Sequence, residues 1–109
     1  MTIKVIGLTT CNKCETLRRG LDSSGIDHAF SDCDTNPDNC DSLESLTGTK
    51  QYPMVLIQDL EENILEIIYI TERYETLIQG SRMQNGIKLV PMHSTDSLLR
   101  YSIGRLNLK

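Results

Sequence analysis

The chain has 109 residues, enough for one domain with one core and little room for a second. Its hydrophobic content of 39% and charged content of 24% are those of a soluble globular domain, not of a disordered segment. A net charge of −4 with few aromatics argues against nucleic-acid binding, and no apolar run approaches the roughly 18 residues of a membrane span.

The amino-terminal "MTIKVIGL" runs directly into a strand pattern, with no signal-peptide core or cleavage site. A cytoplasmic location is expected, where cysteines are more often catalytic or metal-binding than structural. Ile3 to Leu8 is short, β-branched and ended by Thr9 and Thr10, which predicts a buried strand. Thr10 can cap a helix beginning near Cys11, with Leu17 and Leu21 on its buried face and Arg18 and Arg19 on its wet side. Gly25 suits a left-handed C-cap, and His28–Asp32 reads as a second strand. Strand, helix and strand within about thirty residues imply a parallel pair with a right-handed crossover.

The turn "DCDTNPDNC" leads to a short helix predicted over roughly Asp41–Leu46. Asp32, Asp34 and Asn36 mimic the start of a calcium loop, but Pro37 and Leu43 stand where glycine and glutamate are needed, so calcium is rejected. Tyr52–Gln58 predicts a third strand with Pro53 at its start, and Ile64–Ile70 a fourth, joined as a hairpin. Thr71 then caps a helix to about Gln79, with Tyr74, Leu77 and Ile78 predicted on its inner side and Gly80 ending it. The expectation is an α/β fold: a four-stranded mixed sheet flanked by helices over residues 1–80. The tail, 81–109, reads as a C-terminal extension docked on the same domain, with "NGIKLVPM" extended and "STDSLLRYSIG" a short helix ending at Gly104.

The chemistry is concentrated in Cys11 and Cys14. At a strand-to-helix junction Cys11 meets the unpaired N–H groups and the positive end of the helix dipole, which favour a thiolate. Lys13, Arg18 and Arg19 add positive charge nearby. Cys14, one turn further in, is within disulfide reach. Cys11 can therefore act as nucleophile and Cys14 as resolving thiol. A metal reading would recruit Cys33 and Cys40 as C-x2-C-x18-C-x6-C, a poor match to zinc-ribbon spacing. Otherwise Cys33 and Cys40 are plain thiols or a regulatory disulfide, and connectivity is not readable from sequence. His28 and His93 are packing or surface residues, since neither has a partner at catalytic spacing.

These residues carry a resemblance. "TTCNKCETLRRGLDSSGI" is similar to the active-site strand, motif and first helix of the glutaredoxin family, within the thioredoxin fold. "KQYPMVLI" resembles the family's second signature, a cis-proline opening the third strand about forty residues later. The resemblance implies a cis Tyr52–Pro53 bond, with Pro53 packing on the disulfide and the backbone of Tyr52 pairing with extended substrate. Lys50 matches a basic position used for the glycine carboxylate of glutathione. Lys13 and Thr71 complete the expected substrate-binding set. The sequence departs from glutathione-binding members at Leu8, where they often carry lysine, and at Tyr69 and Ile70, where they carry a glycine pair. "CETLRRGLDSSGID" also resembles the glutaredoxin-like hydrogen donors of ribonucleotide reductase, some of which are recharged by thioredoxin reductase.

The expected activity is thus thiol–disulfide exchange on protein or glutathione mixed disulfides by a monomer with no tightly bound cofactor. Glutathione is a candidate co-substrate, and glutathione or thioredoxin reductase a candidate electron source. The competing class is a binding module on the same fold: an iron–sulfur cluster carrier using Cys11, or a redox-inert adaptor. Cluster-binding relatives usually have a single active-site cysteine, so Cys14 argues against the first.

Overall fold

A computed structural model of the chain describes residues 1–107. In chain order it contains β1 (Thr2–Gly7), α1 (Asn12–Ser23), β2 (His28–Asp32), α2 (Pro37–Thr47), β3 (Met54–Gln58) and β4 (Ile64–Ile70). These are followed by α3 (Tyr74–Gln79), β5 (Arg82–Gln84), β6 (Ile87–Met92) and α4 (Thr95–Asn107). One mixed sheet has the order β2-β1-β3-β4-β6-β5. β1 pairs in parallel with β2 and antiparallel with β3. β3 and β4 form the expected antiparallel hairpin, and β6 joins the far side of β4 in parallel.

The fold is therefore the thioredoxin-like α/β one, but the sheet has six strands instead of four. The two extra strands come from the tail. Asn85 and Gly86 both adopt positive φ, 53° and 79°, the conformation of a tight two-residue hairpin turn between β5 and β6. Pro91 is tolerated within β6 because it lies beyond the residues that β5 pairs, where one side of the strand is open.

Alternation along the strands divides the core between the two faces. Ile3, Val5, Val55, Ile57 and Ile68 point to the face covered by α1 and α4, where they meet Leu17, Leu21 and Leu98. Ile6, Met54, Leu56, Ile67 and Tyr69 point to the other face, where Cys40 and Leu43 of α2 cover them. α1 ends as expected. Gly25 takes φ 70°, and Ile26 donates back to the Leu21 carbonyl at 2.9 Å.

Three helices differ from expectation. α2 begins a turn earlier, because Pro37 is pre-set for the first helical position. On α3, Tyr74 and Ile78 are exposed, at 74% and 64%. That helix is six residues long and none of its side chains is fully buried; only Leu77, of the three expected inside, is partly covered. α4 does not stop at Gly104 but continues through it to Asn107, since nothing crowds the site and the helix has a body to dock on.

That docking explains why the tail is structured. Glu66 of β4 is buried and accepts hydrogen bonds from Tyr101 at 2.8 Å and from Arg105 at 2.6 Å. Burial alone would raise its carboxyl pKa, but the bonds and charge from Arg105, the Tyr101 bond and nearby Lys88 leave it below the usual carboxylate range. At Gly20 the two helices nearly touch: a Cβ there would lie 2.4 Å from Leu99 Cδ2. The end of the tail, Leu108 and Lys109, lies outside the described residues.

Candidate active site

Register decides which residues share an end of the sheet. Ile6 pairs with Met54, Val55 with Ile68, and Gly7 with Asp32. The chain leaving β1 towards Cys11, the Pro53 entry to β3, the Thr71 exit from β4 and Cys33 after β2 therefore all meet at one edge. A cavity of about 640 Å³ lies at the opposite edge among Thr2, Asp27 and Asp59, far from this chemistry.

The helix N-cap is Cys11 itself, not Thr10, which is exposed and makes no cap bond. Cys11 has extended backbone angles, and its Sγ accepts the N–H of Cys14 at 3.3 Å. A sulfur in that position satisfies one of the four unpaired donors of the first turn, and a thiolate accepts such a bond better than a thiol does. Cys11 is partly exposed; Cys14 is 1% exposed. Both are free thiols. Burial, followed by its contact with Cys11, pushes the Cys14 thiol from the ordinary 9.0 up to about 12. Cys14 thus stays protonated at neutral pH while Cys11 faces solvent.

Gly7 makes the close packing beneath Cys14 possible. A Cβ at Gly7 would lie 2.4 Å from the Cys14 sulfur and 3.2 Å from its Cβ. Sequence reading passed over this residue. The available signal was a glycine closing a strand just ahead of the cysteine motif. Beside Cys14 opens a cavity of about 360 Å³ lined by Leu8, Thr9, Arg18 and Phe30. The Arg18 guanidinium sits 4.3 Å above the Phe30 ring, and Arg19 is paired with Glu15 at 2.5 Å.

The other expected residues divide. The Tyr52–Pro53 bond is cis and Pro53 is buried. The Tyr52 side chain is turned away to α2, where its hydroxyl donates to Glu44 at 2.6 Å, leaving its backbone to serve any groove. Lys13 and Lys50 are exposed, one in the first turn of α1 and one in the loop entering β3. Thr71 is buried. Its N–H donates to the Met92 carbonyl, and its hydroxyl accepts the Arg73 N–H at 3.1 Å.

Cys33 and Cys40 are not plain thiols. They form a disulfide with Cα atoms 5.7 Å apart, which takes both out of the metal set considered from sequence. The earlier start of α2 brings Cys40 into its first turn, bonded to Cys33 just after β2.

The glutaredoxin family model matches residues 2–60, more than half of the chain, and the chain belongs to that family. A solved structure of the glutaredoxin-like protein NrdH-redoxin from Escherichia coli, described for its thioredoxin-like activity profile, is 27% identical. It superposes with a TM-score of 0.50, covering 55% of this chain and 78% of that one. No curated protein matches the sequence significantly. Family and fold together make the protein a glutaredoxin-like oxidoreductase. The family match covers the front of the chain, through β3.

Proposed function

We propose that the protein is a dithiol–disulfide oxidoreductase that reduces disulfides of partner proteins, with Cys11 as nucleophile and Cys14 as resolving thiol. The Cys11 thiolate attacks one sulfur of the substrate disulfide, and the other sulfur leaves as a thiolate. Cys14 then gives up its proton to the leaving thiolate or to solvent and attacks Cys11. The second substrate thiol is released and the Cys11–Cys14 disulfide remains. Two electrons have moved to the substrate, and an external reductant must return them.

The observation that carries this reading is the asymmetry of the pair. Cys11 caps the helix at the surface, while Cys14 lies buried and protonated directly behind it. In this reading the backbone of Tyr52, with Pro53, lines the groove for extended substrate, and Lys13, Lys50 and Thr71 flank it.

The reading extends to the electron source and the target. The likeness to NrdH-redoxin, with its thioredoxin-like activity profile, supports thioredoxin reductase as the donor. It also supports a cytoplasmic protein substrate such as ribonucleotide reductase. Leu8, Tyr69 and Ile70 make glutathione a weak co-substrate. No tightly bound cofactor is needed for this chemistry.

The test is reduction of a mixed disulfide with NADPH consumption followed, using either thioredoxin reductase or glutathione with its reductase. The expected result is clearly faster turnover with thioredoxin reductase and none in Cys11→Ser with either donor. Equal rates with both would overturn the choice of donor. Full activity in Cys11→Ser would overturn the whole reading.

A further inference from the structure

A third cavity, about 370 Å³, opens between the end of α2 and the α3–β5 segment. Thr47, Tyr69, Thr71, Arg73, Gln79 and Arg82 are among its walls, and neither cysteine of the motif nor Pro53 lines it. No carboxylate lines it either, in a chain whose net charge is negative.

Two features mark it as more than a surface dent. Tyr69 is 1% exposed, and among the described residues its hydroxyl is the buried side-chain oxygen that has no hydrogen-bond partner. Buried polar groups are nearly always paired, because an unpaired one retains its desolvation cost. Tyr69 is one of the residues lining this cavity, so an entering ligand is the candidate partner for its hydroxyl. The second feature is the supply of donors. The Thr71 hydroxyl accepts from the Arg73 N–H, so its own hydrogen is unspent. The Arg73 guanidinium makes no ion pair among the described residues, and Arg82 has committed its side chain only to Gln84 and, at 3.5 Å, to the Leu46 carbonyl.

The geometry points to a binding site for a small phosphate monoester, its phosphate held by Arg73, Arg82 and the hydroxyls of Tyr69 and Thr71. Two forked guanidiniums and two hydroxyls offer more donors than the two oxygens of a carboxylate can take. A phosphate monoester presents three acceptor oxygens and nearly two charges. The cavity is also larger than inorganic phosphate alone would fill, leaving room for an organic body beside Thr47 and Gln79. This site shares Thr71 with the flank of the proposed substrate groove, but neither cysteine of the motif lines it and it does not depend on thiol–disulfide exchange.

The experiment is an amide NMR titration of the intact chain at constant ionic strength, with inorganic phosphate, O-phosphoserine and glutathione in separate arms. Phosphoserine should give saturable shifts at Thr71, Arg73, Gln79 and Arg82, with inorganic phosphate weaker at the same residues. Tyr69→Phe should weaken phosphoserine by about tenfold, as expected for loss of one hydrogen bond to a charged group. Its melting temperature should not fall, because the hydroxyl it loses has no protein partner. The exposed variants Arg73→Gln and Arg82→Gln should each abolish saturation while keeping the fold. The proposal is overturned by shifts that never saturate or by unchanged affinity in Tyr69→Phe. It is also overturned if glutathione saturates these residues and phosphoserine does not, which would make the cavity an arm of a thiol-substrate groove.

Discussion

The molecule carries two pairs of cysteines at the same edge of one sheet, and they behave as opposites. Cys11 and Cys14 lie within a single helical turn, both reduced, one at the surface and one sealed beneath it. Cys33 and Cys40 belong to different segments, the chain just after β2 and the first turn of α2, and are joined. A pair held by one helix can open and close with its backbone already in place. A pair that bridges two segments fixes them to each other, and opening it frees the turn between. The difference lies in what each bond crosses, not in spacing alone. Gly7 stands between the pairs: its Cα faces the Cys14 sulfur, and its carbonyl accepts the Cys33 N–H at 2.9 Å.

The largest effect is expected from disturbing that shared point. Gly7→Ala places a Cβ against the Cys14 sulfur and Cβ, and so displaces the strand or the helix start. The expected cost is about 3 kcal/mol in denaturant unfolding, with a marked fall in disulfide reduction. A neutral Gly7→Ala would mean that Cys14 is not held as tightly as the contrast between the pairs requires.

Removing the second pair should be milder. The double change Cys33→Ala, Cys40→Ala releases a loop with a sequence separation of 7. It should lower stability by about 2 kcal/mol through restored freedom of the unfolded chain. Turnover by Cys11 and Cys14 should remain. Loss of activity in the double variant, with its fold intact by circular dichroism, would show that the two pairs exchange electrons and would break the distinction drawn here.

The smallest effect is a pH dependence of the reduced protein. The Cys14 thiol ionises from about 9.0 when unfolded but near 12 when folded. A raised folded value favours the folded state fully below pH 9, and that contribution is lost as pH climbs towards 12. The partly buried tyrosines Tyr52 and Tyr101, raised first by desolvation and then by Glu44 and Glu66, act with the same sign but from an ordinary value of 10.0. Between pH 9 and 10 the decline in unfolding free energy should therefore flatten in Cys14→Ala. An unchanged slope there would mean that the thiol is hydrated in the folded protein.

Much of the front half was legible because its signals are local. β1, the Leu17 and Leu21 face of α1, the Gly25 cap and the β3–β4 hairpin each follow from a few neighbouring residues. The active-site pair was legible for the same reason, since a strand, two cysteines and a helix are contiguous. What stayed hidden depends on distant partners. Glu66 and Arg105 are 39 residues apart, and only their meeting shows why α4 outlasts Gly104. The Cys33–Cys40 bond depended on where α2 begins, which Pro37 signalled but the polar turn obscured. Tyr74 and Ile78 looked like a helix interior because period alone does not say whether a six-residue helix has anything to pack against. Asn85-Gly86 was a readable hairpin signal, yet the partner of that hairpin, β4, was not. Tyr69 was visible as a departure from a family pattern, but the cavity it lines was not.

The account rests on Cys11 being the reactive thiol, and brief alkylation tests that most directly. Protein kept under mild reduction, with the Cys33–Cys40 bond intact, is treated with iodoacetamide at neutral pH for seconds to minutes and mapped by mass spectrometry. Cys11 should be modified first and nearly alone, with Cys14 unmodified at times when Cys11 is fully labelled. Labelling of Cys14 ahead of Cys11, or of Cys33 or Cys40 ahead of both, would contradict the assignment of nucleophile and the division of roles between the two pairs.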